Sequence, residues 1–252
     1  MKSSRLLLLL TSLSFSIGSV ASLQAATNEE LRKIYTEKKD NIYGVKATLT
    51  VTATYTENGK SKKINRPIWS NAVCVGEGLF VLAHASIDPE TGEEPGITFT
   101  KKLSDLRLIN EAGVERLATV VLHDADVGIA FLALTPTSKK QAGEWKDNIL
   151  DISKDPEVKP LDDTLNISRH NDNLEYKAAA MKGSVLTILS KPRKLYQIMG
   201  TAMSSPTFNE NGEIIGITII KKGKPAVPVT LPIKYIRNFT EMAKTQQAEL
   251  TK

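Results

Sequence analysis

Between Lys46 and Tyr55 the chain alternates with a period of two. Ala47, Leu49, Val51, Ala53 and Tyr55 fall on one face, and Lys46, Thr48, Thr50, Thr52 and Thr54 on the other. Successive side chains of a β-strand point to opposite faces, so this run makes a strand with one apolar side and scatters its apolar residues around a helix. Asn58-Gly59 follows, two residues that accept the positive φ of a tight hairpin turn. The chain therefore returns antiparallel through residues 62–68. A further strand pair is expected at 69–75 and 79–83 around Gly76-Glu-Gly78, and three more strands at 106–110, 115–122 and 129–134. The last is apolar throughout, which asks for burial on both faces or a place in a closed barrel. Short strands joined by tight turns predict a small antiparallel barrel over residues 42–135.

Residues 136–160 break the pattern. Pro136, Pro156 and Pro160 punctuate a polar stretch without sustained periodicity, expected as a linker with one short turn of helix. A second strand-rich series follows, with strands at 174–180, 184–189, 195–199 and 226–231 and a hairpin turning at Asn211-Gly212. Pro232 suits a first helical position, and Ile233, Ile236, Phe239, Met242 and Ala243 give the terminal helix an apolar stripe to dock on the second barrel. Residues 161–252 thus form the second barrel plus a helix. Ahead of both barrels, Thr27 and Glu30 make a capping box for a helix over 28–39, with Leu31, Ile34, Tyr35 and Lys38 on one face, in a segment spanning 26–41.

The N-terminus carries an address. Met1–Arg5 holds two positive charges, an apolar run extends from Leu6 to Ile17, and small residues at Ser19 and Ala21, then Ala25 and Ala26, suit a signal-peptidase cut. Residues 1–25 are expected as a removed signal peptide, so the mature chain is expected without stable membrane insertion. Losing Lys2 and Arg5 lowers the net charge by two, from +5 to +3, and the lysines are scattered without aromatic partners, which argues against nucleic acid. Cys74 is the only cysteine, so no intramolecular disulfide forms. An exported chain of this kind fits a bacterial envelope, periplasmic or extracellular. His84, His123 and His170 show no metal-ligand spacing, and no phosphate-cradling glycine loop appears, so no metal or cofactor is expected. Within its strand, Cys74 reads as a buried small hydrophobe.

Four segments then fall in one order: residues 71–84 ending at His84, residues 106–134 with Asp124 and Asp126, residues 200–217 around Ser204 and Ser205, and residues 229–239 with Leu231-Pro-Ile233. Together they resemble the trypsin-like serine proteases, especially the HtrA-like branch, over about residues 70–244. The resemblance implies an all-β fold, a trypsin-like double antiparallel β-barrel with a C-terminal helix. The chain ends at Lys252, so no PDZ domain is expected.

The resemblance also implies a triad, and this chain departs from it. A serine needs a histidine to take its proton, an acid to hold that histidine, and N–H groups aimed at the oxyanion. In the family register the nucleophile falls on Met203 and the acid on Gly128, while Ser204 and Ser205 replace two glycines. His84 stands near the base position. Asp126 and Asp124 read as a solvated turn. The expectation is an exported, catalytically inactive protease homologue that binds peptide or protein. Two alternatives stand beside it: an active endopeptidase using a shifted His84/Asp126/Ser204 triad, and a structural envelope protein.

Overall fold

The computed structural model describes residues 27–92, 94–140, 145–223 and 225–250. The expected signal segment lies outside them. Helix α1 (Asn28–Lys38) begins at the capping box: Thr27 accepts from the Glu30 N–H, and the Glu30 carboxylate accepts from the Thr27 N–H at 2.7 Å. The first barrel follows, with β1 (Ile42–Tyr55), β2 (Ser61–Gly76), β3 (Leu79–Ala83), β4 (Ile97–Ile109), β5 (Glu115–Asp124) and β6 (Ile129–Leu134). Its sheet closes in the order β1–β2–β3–β6–β5–β4. After a short α2 (Pro136–Lys140) come β7 (Asp163–Arg169), β8 (Ala178–Leu189), β9 (Leu195–Ile198), β10 (Pro206–Phe208), β11 (Ile214–Lys221) and β12 (Val227–Pro232), closing as β7–β8–β9–β12–β11–β10. The two orders are the same circuit run twice. Helix α3 (Ile233–Glu249) ends the described chain, and none of the described helices is long and apolar enough to cross a membrane.

Period two explains the packing. On β3, Phe80 and Leu82 turn into the first barrel, while Leu79, Val81 and Ala83 turn outward. Strand β6 does the same with Ala130 and Leu132 inside, and Ile129 and Phe131 outside, so all six of its residues are buried. The outward set meets Leu165, Ile167, Phe208, Ile217 and Ile219 of the second barrel, and α3 closes the seam with Ile233, Ile236 and Ala243. Helix α3 therefore docks across both barrels and leaves Met242 55% exposed, outside the expected stripe.

Several boundaries moved for tertiary reasons. Strand β2 runs unbroken where two strands were read, because β1 pairs with it continuously from Ser61 to Val73. Strand β4 begins at Ile97, nine residues before the expected start, since pairing with β1 carries Lys101, Lys102 and Ser104 into the sheet. A 3₁₀ turn at Asp172–Leu174 and two left-handed residues, Glu175 and Tyr176, occupy the start of an expected strand. Helix α3 starts at Ile233, with Pro232 as its cap. The expected linker is strapped down: the Leu150 N–H donates to the Cys74 carbonyl at 2.9 Å, and Leu150 and Val158 are buried.

Candidate functional site

The seam between the barrels brings together the β3 end, the β5–β6 turn, the loop between β9 and β10, and the β11 end. Ala83 closes β3, and a 3₁₀ turn (His84–Ser86) follows. The His84 N–H donates to the Gly128 carbonyl at 2.9 Å, which ties this turn to the β5–β6 loop. The imidazole stacks on His123, with ring centroids 5.3 Å apart and planes 23° from parallel, and Nε2 lies 3.7 Å from the Asp88 carboxylate. Burial pushes the His84 pKa below its ordinary value, against the pull of Asp88 and in the same sense as His123, Lys222 and Lys101.

The β5–β6 turn is built by Asp124, whose carboxylate accepts from the N–H groups of Asp126 at 2.9 Å and Val127 at 2.7 Å. Gly128 closes it at φ 88°, where a Cβ would meet the Ile219 side chain at 3.1 Å. Asp126 is exposed and lines a cleft of about 360 Å³ with Pro192, Arg193, Ile220 and Lys222. The structure therefore places His84, Asp126 and Ser204 in three separate environments.

Ser204 is fully buried, with φ 60°. Its Oγ accepts from the Ala83 N–H at 3.0 Å and from the Ser70 hydroxyl at 3.1 Å. Both lone pairs are then used, so its own proton goes to Ser86 Oγ, 2.8 Å away. Among the described residues no hydrogen bond joins His84 to Ser204; all three valences of the hydroxyl go to the first barrel. The loop's N–H groups are also committed: Ala202 donates to Asn166 Oδ1 at 3.0 Å, Ser204 to the Thr218 carbonyl at 2.9 Å, and Ser205 to the Ala202 carbonyl at 3.2 Å. These three donors do not converge on one oxygen, the geometry an oxyanion hole requires. Met203 is half-buried and lines an interbarrel cleft of about 750 Å³ with Trp69, Ser86, Arg169, His170 and Met181.

Sequence reasoning missed the residues that build this joint. Ser70, Ser86 and Asn166 carry no local signal, and Asn166 sits in an Asn-x-Ser triplet yet is buried, holding the loop through the Pro206 carbonyl at 3.0 Å. Arg169 is 3% exposed and donates to the carbonyls of Ile42 at 2.6 Å, Tyr176 at 2.7 Å and Lys39 at 2.8 Å, pinning the second barrel to the start of the first. Burial lowers its pKa, opposed by Glu111 and Asp40.

One backbone edge in the seam has no ladder partner among the described residues. Strand β11 meets β10 only up to Ile217, and Thr218 gives its backbone groups to Ser204 and Ser205. Ladder groups alternate direction with period two, so Ile220 directs its N–H and C=O out along that same side. Its partner on β12 is Pro228, which has no N–H to give, in keeping with that phase.

No family model matches this chain, and no curated protein matches it. Among the described residues no group of three or more His, Cys, Asp or Glu side chains is placed to hold a metal ion.

Proposed function

We propose that this chain is an exported, catalytically inactive homologue of the trypsin-like proteases that binds an extended peptide or protein segment between its barrels. The observation that carries the reading is the saturated Ser204 hydroxyl. A serine nucleophile must hand its proton to a base as it attacks, whereas this proton is held by Ser86 and both lone pairs are filled. The Ile220 edge and the adjoining cleft supply what binding by strand addition needs: free ladder groups and a pocket beside them. The charged, then apolar, N-terminus supports export.

A fluorophosphonate probe tests the catalytic half. The mature protein is expected to remain unlabelled, and labelling that Ser204→Ala abolishes would overturn the reading. A fluorescent library of extended peptides tests the binding half: Ile220→Pro removes the outward N–H while sparing the β12 ladder, and binding is expected to fall about tenfold with the fold intact. Binding unchanged by Ile220→Pro would place the peptide elsewhere.

A further inference from the structure

The first barrel continues into an arm. Beyond the barrel rim, β1, β2 and β4 run on together as three strands, comprising residues 49–68 and 97–104, because β3 joins β2 only from Val73 to Gly76 and β5 joins β4 only from Arg107 to Ile109. One face is polar, with Thr50, Thr52, Thr54, Thr98, Thr100 and Lys102. The other carries Val51, Ala53, Tyr55, Ile64 and Phe99 interleaved with Lys62, Arg66 and Lys101, with Ile64 40% and Tyr55 39% exposed. At its base this face opens into a groove of about 440 Å³ floored by Leu49, Ile87, Leu103 and Val120.

The charge of the protein is concentrated here. The arm holds Lys60, Lys62, Lys63, Arg66, Lys101 and Lys102 against the single acid Glu57, a net +5 that equals the formal charge of the entire chain. Of the six bases only Lys101 forms an ion pair among the described residues, with Asp88. Register gathers residues that are far apart in sequence: Thr50 pairs with Asn65 on one side and Lys102 on the other, and Val51 with Ile64 and Lys101.

The two edges differ. On β2, Pro67 lies opposite Thr48, so the edge phase of that strand lacks a donor at Pro67. On β4 the phase follows from the hairpin end, where the Tyr55 N–H bonds the Lys60 carbonyl and the Thr56 N–H bonds the Gly96 carbonyl. Odd residues of β1 therefore face β2 and even ones face β4, which leaves Phe99, Lys101 and Leu103 of β4 directing their N–H and C=O groups outward.

We propose that the outer edge of β4 is a second binding site, taking an extended acidic segment of a partner protein by strand addition. Its apolar side chains would lie beside Phe99 and Leu103, the groove admitting one of them, and its acids beside Lys102. Charge decides among the occupants. A second copy of the arm would set lysine against lysine, since like charges facing across a strand pair destabilise it. A lipid surface would leave the outward ladder groups in an apolar medium without partners. An acidic strand satisfies both the ladder and the charge.

The test is fluorescence anisotropy of the mature protein with the synthetic peptide (Glu-Val)₄. Two controls are (Lys-Val)₄ and (Glu-Val)₄ with N-methyl groups at alternate residues, made in both phases. Saturable binding of the acidic peptide is expected, weakened about tenfold or more by the lysine peptide's reversed charge and in one N-methylated phase. The Lys63→Glu/Lys102→Glu variant, both on the Thr50/Thr52 face, should lose it to the same degree with an unchanged melting temperature, and Ile220→Pro should retain it. No saturation by ~1 mM, or equal binding of both N-methylated phases, overturns strand addition at this edge. Loss in Ile220→Pro assigns the peptide to β11 and overturns it too. Failure of the peptide alongside sedimentation with phosphatidylglycerol vesicles, or a concentration-dependent dimer, either one abolished by Lys63→Glu/Lys102→Glu, overturns it in favour of lipid or of a second copy.

Discussion

Replacing Ser204 by alanine separates a structural serine from a nucleophile. In the structure its Oγ is the shared partner of the Ala83 N–H, the Ser70 hydroxyl and the Ser86 hydroxyl, in a site without solvent exposure. Removing the oxygen leaves a buried N–H without its acceptor, at a cost of about 1–3 kcal/mol. Ser70 and Ser86 lose a partner as well, which raises the expected loss to about 2–4 kcal/mol. For a protein of this size each kcal/mol lowers the melting temperature by about 2–4 °C, so a drop of about 4–16 °C is expected. Backbone strain provides an internal control. Ser204 holds φ 60°, and glycine relieves the left-handed penalty, so Ser204→Gly should recover roughly 1 kcal/mol of the loss. Chemical denaturation of the wild type and both variants reads these differences directly. A serine whose role is catalysis predicts the opposite pattern: unchanged or higher stability in Ser204→Ala, with loss of probe labelling. A shift below ~0.5 kcal/mol would refute the structural role argued here.

Two further outcomes follow from buried titratable groups. Burial lowers the His84 pKa below its ordinary value of 6.5, so from that value downward the unfolded chain binds a proton that the folded chain resists. Stability is then full above the ordinary histidine range and falls as pH drops through the lower folded value; His84→Gln should flatten the melting-temperature profile between pH ~7 and ~5, and an unchanged profile would remove the histidine stack as its cause. Cys74 is buried, donates to the Gly76 carbonyl at 3.3 Å, and its pKa is pushed up to about 12 by burial. At pH 8 its thiolate fraction is about one in 10⁴, so dithionitrobenzoate should react only after denaturation, and rapid labelling of the native protein would contradict its burial.

Local pattern carried the architecture because burial leaves a periodic trace in a strand or helix. The alternation from Lys46 to Tyr55, the unbroken apolar run of β6, the capping box at Thr27 and the turns at Asn58-Gly59 and Asn211-Gly212 each report a constraint acting within a few residues. They were enough to read two all-β barrels followed by a helix. Strand ends were less legible. Lys101 and Lys102 look like a loop until β1 supplies the ladder that holds them.

The site was decided elsewhere. Ser204 bonds to Ser70, Ala83 and Ser86, more than a hundred residues away in sequence, and nothing near any of those serines marks it as a partner. The stacking of His84 on His123, the three carbonyls around Arg169, the outward phase of Ile220 opposite Pro228 and the gathering of scattered lysines on one arm have the same origin. Sequence sets which face of each strand is apolar, a property of neighbours along the chain. Which hydroxyl meets which donor, and which charges share a surface, depends on how distant strands register, and that is settled only when the barrels close on each other.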